Sequence, residues 1–221
     1  MSRVVVRNFS ISLDGYAAGP RQDLESPLGV GGGQLHEWIY PTRSFTRMIG
    51  GEGGSEGLDD DFFSKRGLDV GATIMGRNMF SPFRGPWDEN EWRGWWGEEP
   101  PFHHPVFVLT HHPRPPLEMQ GGTTFYFIDG GIGQALDAAR EAAHGGDVLV
   151  GGGASTIRQF LRASLIDEMH LAVVPVFLGR GERLFDESIP LADNYRCVQH
   201  VCSPTVTHVR FARTGSDTTV D

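Results

Sequence analysis

Asp147-Val-Leu-Val-Gly-Gly-Gly-Ala-Ser-Thr-Ile-Arg-Gln-Phe-Leu161 joins a short apolar run to a helix-patterned segment through three consecutive glycines, Gly151, Gly152 and Gly153. Glycines let a backbone approach a phosphate closely, and the free N–H groups and positive dipole end of the helix they open attract an anion. Ile157, Phe160, Leu161 and Leu165 recur at helical spacing while Arg158 and Arg162 fall elsewhere, so a helix follows the glycines, with Ser155 or Thr156 as its expected cap. From Met169 the chain becomes β-rich. The unit reads strand, glycine corner, helix, strand. Such a connection between neighbouring parallel strands puts the corner at the carboxyl edge of a sheet, where open α/β folds bind ligands. A turn that merely packs helix against strand fits the same residues. The spacing is also not the G-x-G-x-x-G of a dinucleotide fold, and no acidic residue ends the next strand.

With 221 residues, 39% of them hydrophobic and 21% charged, the chain has the composition of an ordinary globular protein. Residues 1–213 are expected to form one domain, with the glycine- and glutamate-rich stretch Gly50 to Gly57 as a surface loop and residues 214–221 as a polar tail. A net charge of −9 without a basic cluster argues against a nucleic-acid surface. The apolar runs are strand-length, so no membrane span is expected. Met1 to Arg7 lacks the apolar core and cleavage site of a signal peptide, and a cytoplasmic location is the expectation. Cys197 and Cys202 lie five apart in an expected strand, point to opposite faces and suit a reducing compartment.

Val4 to Ser12 reads as the first strand, with Val4, Val6 and Asn8 on one side and Val5, Arg7 and Phe9 on the other, closing at the Asp14-Gly15 turn. Helical segments are expected around Leu35 to Tyr40, Arg43 to Ile49 and Asp59 to Lys65. Ala72 to Met75 is a strand that runs into a second corner, Gly76-Arg-Asn-Met-Phe80. Strands follow at Val106 to Thr110 and Thr123 to Ile128, then an amphipathic helix through Ile132, Ala135, Leu136, Ala139 and Ala143. Arg196 to Cys202 and Thr205 to Ala212 alternate like an antiparallel hairpin.

The combination of Ser12-Leu-Asp-Gly-Tyr-Ala-Ala18, Ile74-Met-Gly-Arg-Asn-Met-Phe80, Pro105-Val-Phe-Val-Leu-Thr110, the Gly151 to Gly153 corner, and Leu165-Ile-Asp-Glu168 with Val174-Pro-Val-Phe-Leu-Gly-Arg-Gly-Glu-Arg-Leu-Phe185 resembles the dihydrofolate-reductase-like superfamily. Within it, the chain is most similar to the reductase domain of bacterial riboflavin biosynthesis, the RibD C-terminal domain, and its stand-alone relatives. The resemblance implies a three-layer α/β/α sandwich around a mixed, mostly parallel sheet with a C-terminal antiparallel hairpin. It also implies NADPH as hydride donor, a small nitrogen heterocycle such as 5-amino-6-(5-phosphoribosylamino)uracil as substrate, and a homodimer. Carried onto this sequence, Gly76, Arg77 and Asn78 would meet the cofactor's phosphates, with Arg77 on the ribose 2′-phosphate. Leu109 and Thr110 would line the adenosine. Gly151, Gly152, Gly153, Ala154, Ser155 and Thr156 would hold the pyrophosphate and approach the nicotinamide.

Hydride transfer usually needs a proton source near the reduced atom. Asp14, beside the expected nicotinamide, is the catalytic candidate, and an Asp-Gly turn is its alternative reading. In the folate enzymes a carboxylate on the first long helix does this work, and Glu37 lies in the corresponding region. Asp59, Asp60 and Asp61 are further candidates or a solvated helix start. The tryptophan-rich run Pro86 to Trp96 fits a stacking surface, a core edge or a dimer face. Neither it nor the Gly29 to Gly57 insertion carries a Lys/Arg cluster for a ribose phosphate. His103, His104, His111 and His112 lack ligand spacing, so no metal site is expected. A non-catalytic nucleotide sensor is the alternative function.

Overall fold

The computed structural model describes residues 2–87, 92–187, 189 and 191–215. Its elements run β1 (Val4–Ser12), β2 (Tyr16–Ala18), a 3-10 turn (Gly32–His36), α1 (Arg43–Met48), α2 (Leu58–Ser64), β3 (Val70–Gly76), α3 (Arg77–Phe80), β4 (Pro105–Leu109) and β5 (Leu117–Glu118). They continue with β6 (Thr124–Ile128), α4 (Gly131–Ala142), β7 (Asp147–Gly152), α5 (Ala154–Arg162), β8 (Glu168–Val174), β9 (Glu182–Arg183), α6 (Leu191–Asn194), β10 (Tyr195–Cys202) and β11 (Thr207–Arg213). Nine strands form one sheet in the order β10-β11-β8-β1-β7-β3-β4-β6-β5, and β2 pairs with β9 in a small second sheet. The pairs from β8 through β1, β7, β3 and β4 to β6 are parallel, whereas β5 and the terminal β10–β11 hairpin are antiparallel.

Hydrophobic periodicity explains the layers. Ala135, Leu136 and Ala139 of α4 and Ile157, Phe160 and Leu161 of α5 pack on one face against Val4, Val6, Ile74, Phe107, Val148 and Val150. Each large side chain buried in this way stabilises the fold by about 1.5–3 kcal/mol. On the opposite face, Leu35, Trp38, Ile39 and Phe63 cover Ala172 and Val174, while Phe80 and Trp87, Trp92 and Trp96 cover Met75, Val106, Val108, Phe125 and Phe127. This is the three-layer α/β/α arrangement, with its C-terminal hairpin, that the family resemblance implied.

Two details depart from the sequence reading. The strand after α5 does not neighbour β7, because β1 lies between them and pairs with both in parallel. Val4, Val5 and Val6 are all buried, so β1 presents apolar surface on both faces and takes a central place. The simple alternation expected along β1 also breaks. Asn8 has φ 52° and the register with β8 shifts between Val6 and Phe9, which makes a bulge there.

A buried hydrogen-bond chain holds that bulge. The Asn8 N–H donates to His170 Nδ1 at 3.1 Å, His170 Nε2 meets His208 Nδ1 at 3.1 Å, and His208 Nε2 meets Asp59 Oδ1 at 3.0 Å. A backbone N–H can only donate, so His170 carries its proton on Nε2 and donates to His208, whose Nε2–H donates to Asp59. Phe62 stacks on both rings. Burial, followed by His208 and Arg210, pushes His170 down to about 3, and burial also lowers His208.

The unfolded His170 ring takes up a proton near 6.5 and the folded one only near 3, so its contribution to stability is whole above about pH 6.5 and is lost as pH falls towards 3. Thermal unfolding followed between about pH 7 and pH 4 should show stability dropping, with His170 contributing up to about 1.4 kcal/mol per pH unit. His170→Asn should flatten that slope. An unchanged slope would assign the acid sensitivity elsewhere.

Candidate functional site

The carboxyl ends of four adjacent parallel strands, β1, β7, β3 and β4, face one edge of the sheet, and a single cleft of about 1380 Å³ runs along them. Small-ligand sites usually measure about 300–1,000 Å³, so this cleft has room for a dinucleotide and a second ring. Gly76, Arg77, Asn78, Leu109, Thr110, Gly151, Gly153, Ala154, Ser155 and Thr156 all line it. Three corners read separately from the sequence are therefore brought together.

The glycine corner differs in detail from its sequence reading. Helix α5 starts at Ala154, with Gly153 as N-cap and no side-chain capping bond, so neither Ser155 nor Thr156 caps it. Its first-turn N–H groups are thus left without a capping side chain, and a bound anion can take that place. Gly152 has φ 126°, a conformation suited to glycine, and the Gly152–Gly153 peptide is cis. Thr156 is buried and turned towards the neighbouring corner. A Cβ on Gly76 would lie 2.5 Å from Thr156 Oγ1, so these two corners can touch only because residue 76 has no side chain.

At the third corner, Arg77 Nη1 donates to Thr110 Oγ1 at 3.2 Å, and the Arg77 guanidinium lies over Trp87, with Cζ 3.2 Å from the ring centroid. On the other side, Arg114 approaches the same ring at 4.0 Å. Arg77 Nε and Nη2 are buried and make no hydrogen bond. Burial, with help from Arg114 and Arg84, brings Arg77 down to about 10, so it stays cationic at neutral pH. Two unsatisfied donors on a fixed, charged plane suit the oxygens of a phosphate, so the residues present fit the cofactor that the resemblance implies.

The acids fare differently. Asp14 accepts from the Ser12 hydroxyl at 2.5 Å and from the Leu178 and Gly179 amides at 3.2 and 2.7 Å. Ser12 first, then the two amides, hold its carboxyl below the usual range. Asp14 is therefore an ionised anchor between the β1–β2 turn and the segment after β8. It does not line the cleft, and its geometry does not suit a proton donor. Glu37 is exposed at the end of the 3-10 turn. Asp59 receives His208, Ser203 and Thr205, Asp60 caps α1 through the Ser44 amide, and Asp61 is exposed. Among the described residues, the carboxylates lining the cleft are Asp129 and Glu182.

Other residues enter the cleft without a sequence signal strong enough to single them out. His36, Ser10 and Tyr40 line it, as do Arg7 and Arg66, two cations far apart in sequence that no local Lys/Arg cluster announced. Of the tryptophan-rich run, Trp87 and Trp92 donate to the His112 and Phe80 carbonyls at 2.6 and 2.7 Å and cover the core, whereas Trp95 and Trp96 reach the cleft. Residues 88–91 of that run lie outside the described residues. His104 bonds Thr73 Oγ1 at 2.7 Å and His103 bonds the Gly121 carbonyl at 2.8 Å. Among the described residues, no group of three or more His, Cys, Asp or Glu side chains is placed to hold a metal. None of the helices described there is long and apolar enough to cross a membrane.

The Gly76–Thr156 contact makes a direct test. Gly76→Ala should destabilise the protein by about 1–3 kcal/mol through overpacking. Adding Thr156→Ala should restore most of that loss in a denaturant titration, and strictly additive losses would show that the two corners do not press on each other.

Comparison with known proteins places this geometry. The family model described as the RibD C-terminal domain matches residues 3–209. No curated protein matches the chain. Among solved structures, a protein from Shewanella sp. PV-4 assigned to riboflavin biosynthesis aligns with TM-score 0.59 and 21% identity, over 97% of this chain and 99% of that one. The diaminohydroxyphosphoribosylaminopyrimidine deaminase/5-amino-6-(5-phosphoribosylamino)uracil reductase of Thermotoga maritima aligns with TM-score 0.54 and 16% identity, over 96% of this chain and 57% of that longer one. Dihydrofolate reductase from Enterococcus faecalis, complexed with NADP(H), aligns with TM-score 0.51 and 12% identity, over 96% of each chain. At these identities the structures share the fold, and the family match spans nearly the whole sequence. The chain belongs to the RibD C-terminal domain family, on a dihydrofolate-reductase-like fold.

Proposed function

We propose that this chain is an NADPH-dependent reductase of a small nitrogen heterocycle or its ribosylamino derivative, akin to 5-amino-6-(5-phosphoribosylamino)uracil reductase. Arg77 carries the reading. Arg77 lines the cleft whose middle is the glycine corner, and its two buried nitrogens without partners are the donors that a ribose 2′-phosphate would satisfy. NADPH, when bound, supplies the hydride. The chain's own residues bind and orient it. The amides opening α5 take the pyrophosphate, Leu109 and Thr110 flank the adenosine, and Phe9, Ala17 and Ala18 give the ring end an apolar wall that excludes water.

A non-catalytic nucleotide sensor is the second reading. It is favoured by one observation, that Asp14, Glu37 and Asp59 to Asp61 all stay out of the cleft. Oxidation of NADPH in the presence of a pyrimidine or pteridine substrate separates the two, since a sensor binds the nucleotide without consuming it.

Arg77→Ala should weaken NADPH about 10- to 100-fold, the loss of charge-assisted bonds worth about 1.5–3 kcal/mol, and leave NADH within about twofold. An equal loss for both nucleotides would remove Arg77 from the 2′-phosphate. We also propose a homodimer across the β10–β11 hairpin, because β10 forms an edge of the main sheet and exposes Arg196, Cys197, His200 and Cys202. Sedimentation at micromolar concentration should give twice the chain mass, and a monomer would count against this surface.

A further inference from the structure

We propose that His36 and Ser10 form the ring-recognition subsite of the cleft, with His36 as a neutral imidazole that donates Nε2–H to a carbonyl oxygen or lone-pair nitrogen of the substrate. This rests on the reductase reading and assigns two specificity-determining residues to the ring end of its site.

Placement comes first. His36 ends the 3-10 turn Gly32–His36, which packs on β1 and β2, and it lines the cleft together with Ser10 of β1 and Ala17 and Ala18 of β2. Its Nδ1 is buried and has no hydrogen-bond partner, which leaves Nε2 as the nitrogen open to a ligand. A buried N–H without a partner is rarer in folded proteins than an under-satisfied acceptor, so Nδ1 holds the lone pair and Nε2 the proton. Burial pushes the imidazole down to about 4, so the ring is neutral at physiological pH and acts as a single donor. Ser10 adds a second donor. Its Oγ accepts the Trp38 indole N–H at 3.0 Å, which turns its own proton away from Trp38. Two neutral donors match two acceptors on an uncharged ring.

Ring binding measured apart from turnover tests the subsite. In calorimetric titrations with NADPH present, His36→Leu should lose about tenfold in affinity for 5,6-diaminouracil. His36→Gln, which restores a donor near the Nε2 position, should stay within about threefold, and both variants should bind NADPH like the wild type. Unchanged ring affinity in His36→Leu overturns the subsite. Ring binding that is lost in His36→Leu, with no NADPH oxidation by the wild type, supports the subsite and removes the reductase reading.

Discussion

The contact between Gly76 and Thr156 sets the spacing on which the cleft depends. Strand β3 ends in Gly76 and strand β7 in the Gly151 to Gly153 corner, and they are hydrogen-bonded neighbours. Their turns lie so close that a single methyl group at residue 76 would fall within 2.5 Å of the Thr156 hydroxyl. Moving the corners apart by that amount would shift the start of α5 relative to Arg77. A dinucleotide that touches both places reads their separation directly, and positional errors of about 1 Å are costly in sites of this kind. The glycines thus matter less as flexible hinges than as missing side chains.

The opposite half of the cleft depends on a different device. The bulge at Asn8 shifts the register of β1 against β8 where Asn8, Phe9 and Ser10 line the cleft. A left-handed Asn costs free energy. Here the His170–His208–Asp59 chain compensates by accepting the Asn8 amide, and the Asn8 side chain also donates to the Phe62 carbonyl at 3.1 Å. Asp59 belongs to α2 and Phe62 does as well, so one short helix and two strands of the C-terminal half fix the geometry of the first strand. Asp59 therefore acts on the cleft from a distance, through hydrogen bonds in series.

Much of this was legible in the sequence where the signal is local. The apolar periodicity of α4 and α5, the strand runs at Val4 to Ser12 and Thr124 to Ile128, and the two glycine corners rest on spacing within one segment, and each was found within a few residues. What escaped reading depends on partners far along the chain. The Asn8 bulge needs His170, and the structural duty of Asp14 needs the Leu178 and Gly179 amides. Adjacent residues 36 and 37 show the limit most sharply. By residue type the carboxylate is the better chemical candidate, but the 3-10 turn puts Leu35, Trp38 and Ile39 into the core, His36 against the cleft and Glu37 in solvent. Arg7 and Arg66 likewise form no sequence cluster, although they line the same cleft.

The charge distribution adds a constraint on how the cofactor is held. The chain carries a net charge of −9, so its overall field repels a polyanionic nucleotide at long range. At physiological ionic strength that repulsion is screened beyond about 8 Å. Affinity must then come from donors inside that distance, desolvated and fixed in direction. Arg77 meets the requirement: it is clamped on Trp87, bonded to Thr110 and left with two unsatisfied nitrogens. The helix start at α5 meets it with uncapped backbone amides. Ser10 and His36 add neutral donors to the same cleft, which Arg7, Arg66 and Glu182 also line. On the proposed reading, specificity along the cleft would be divided, with Arg77 and the α5 amides serving the phosphates and Ser10 and His36 the ring. The two ends can change independently because different strands build them.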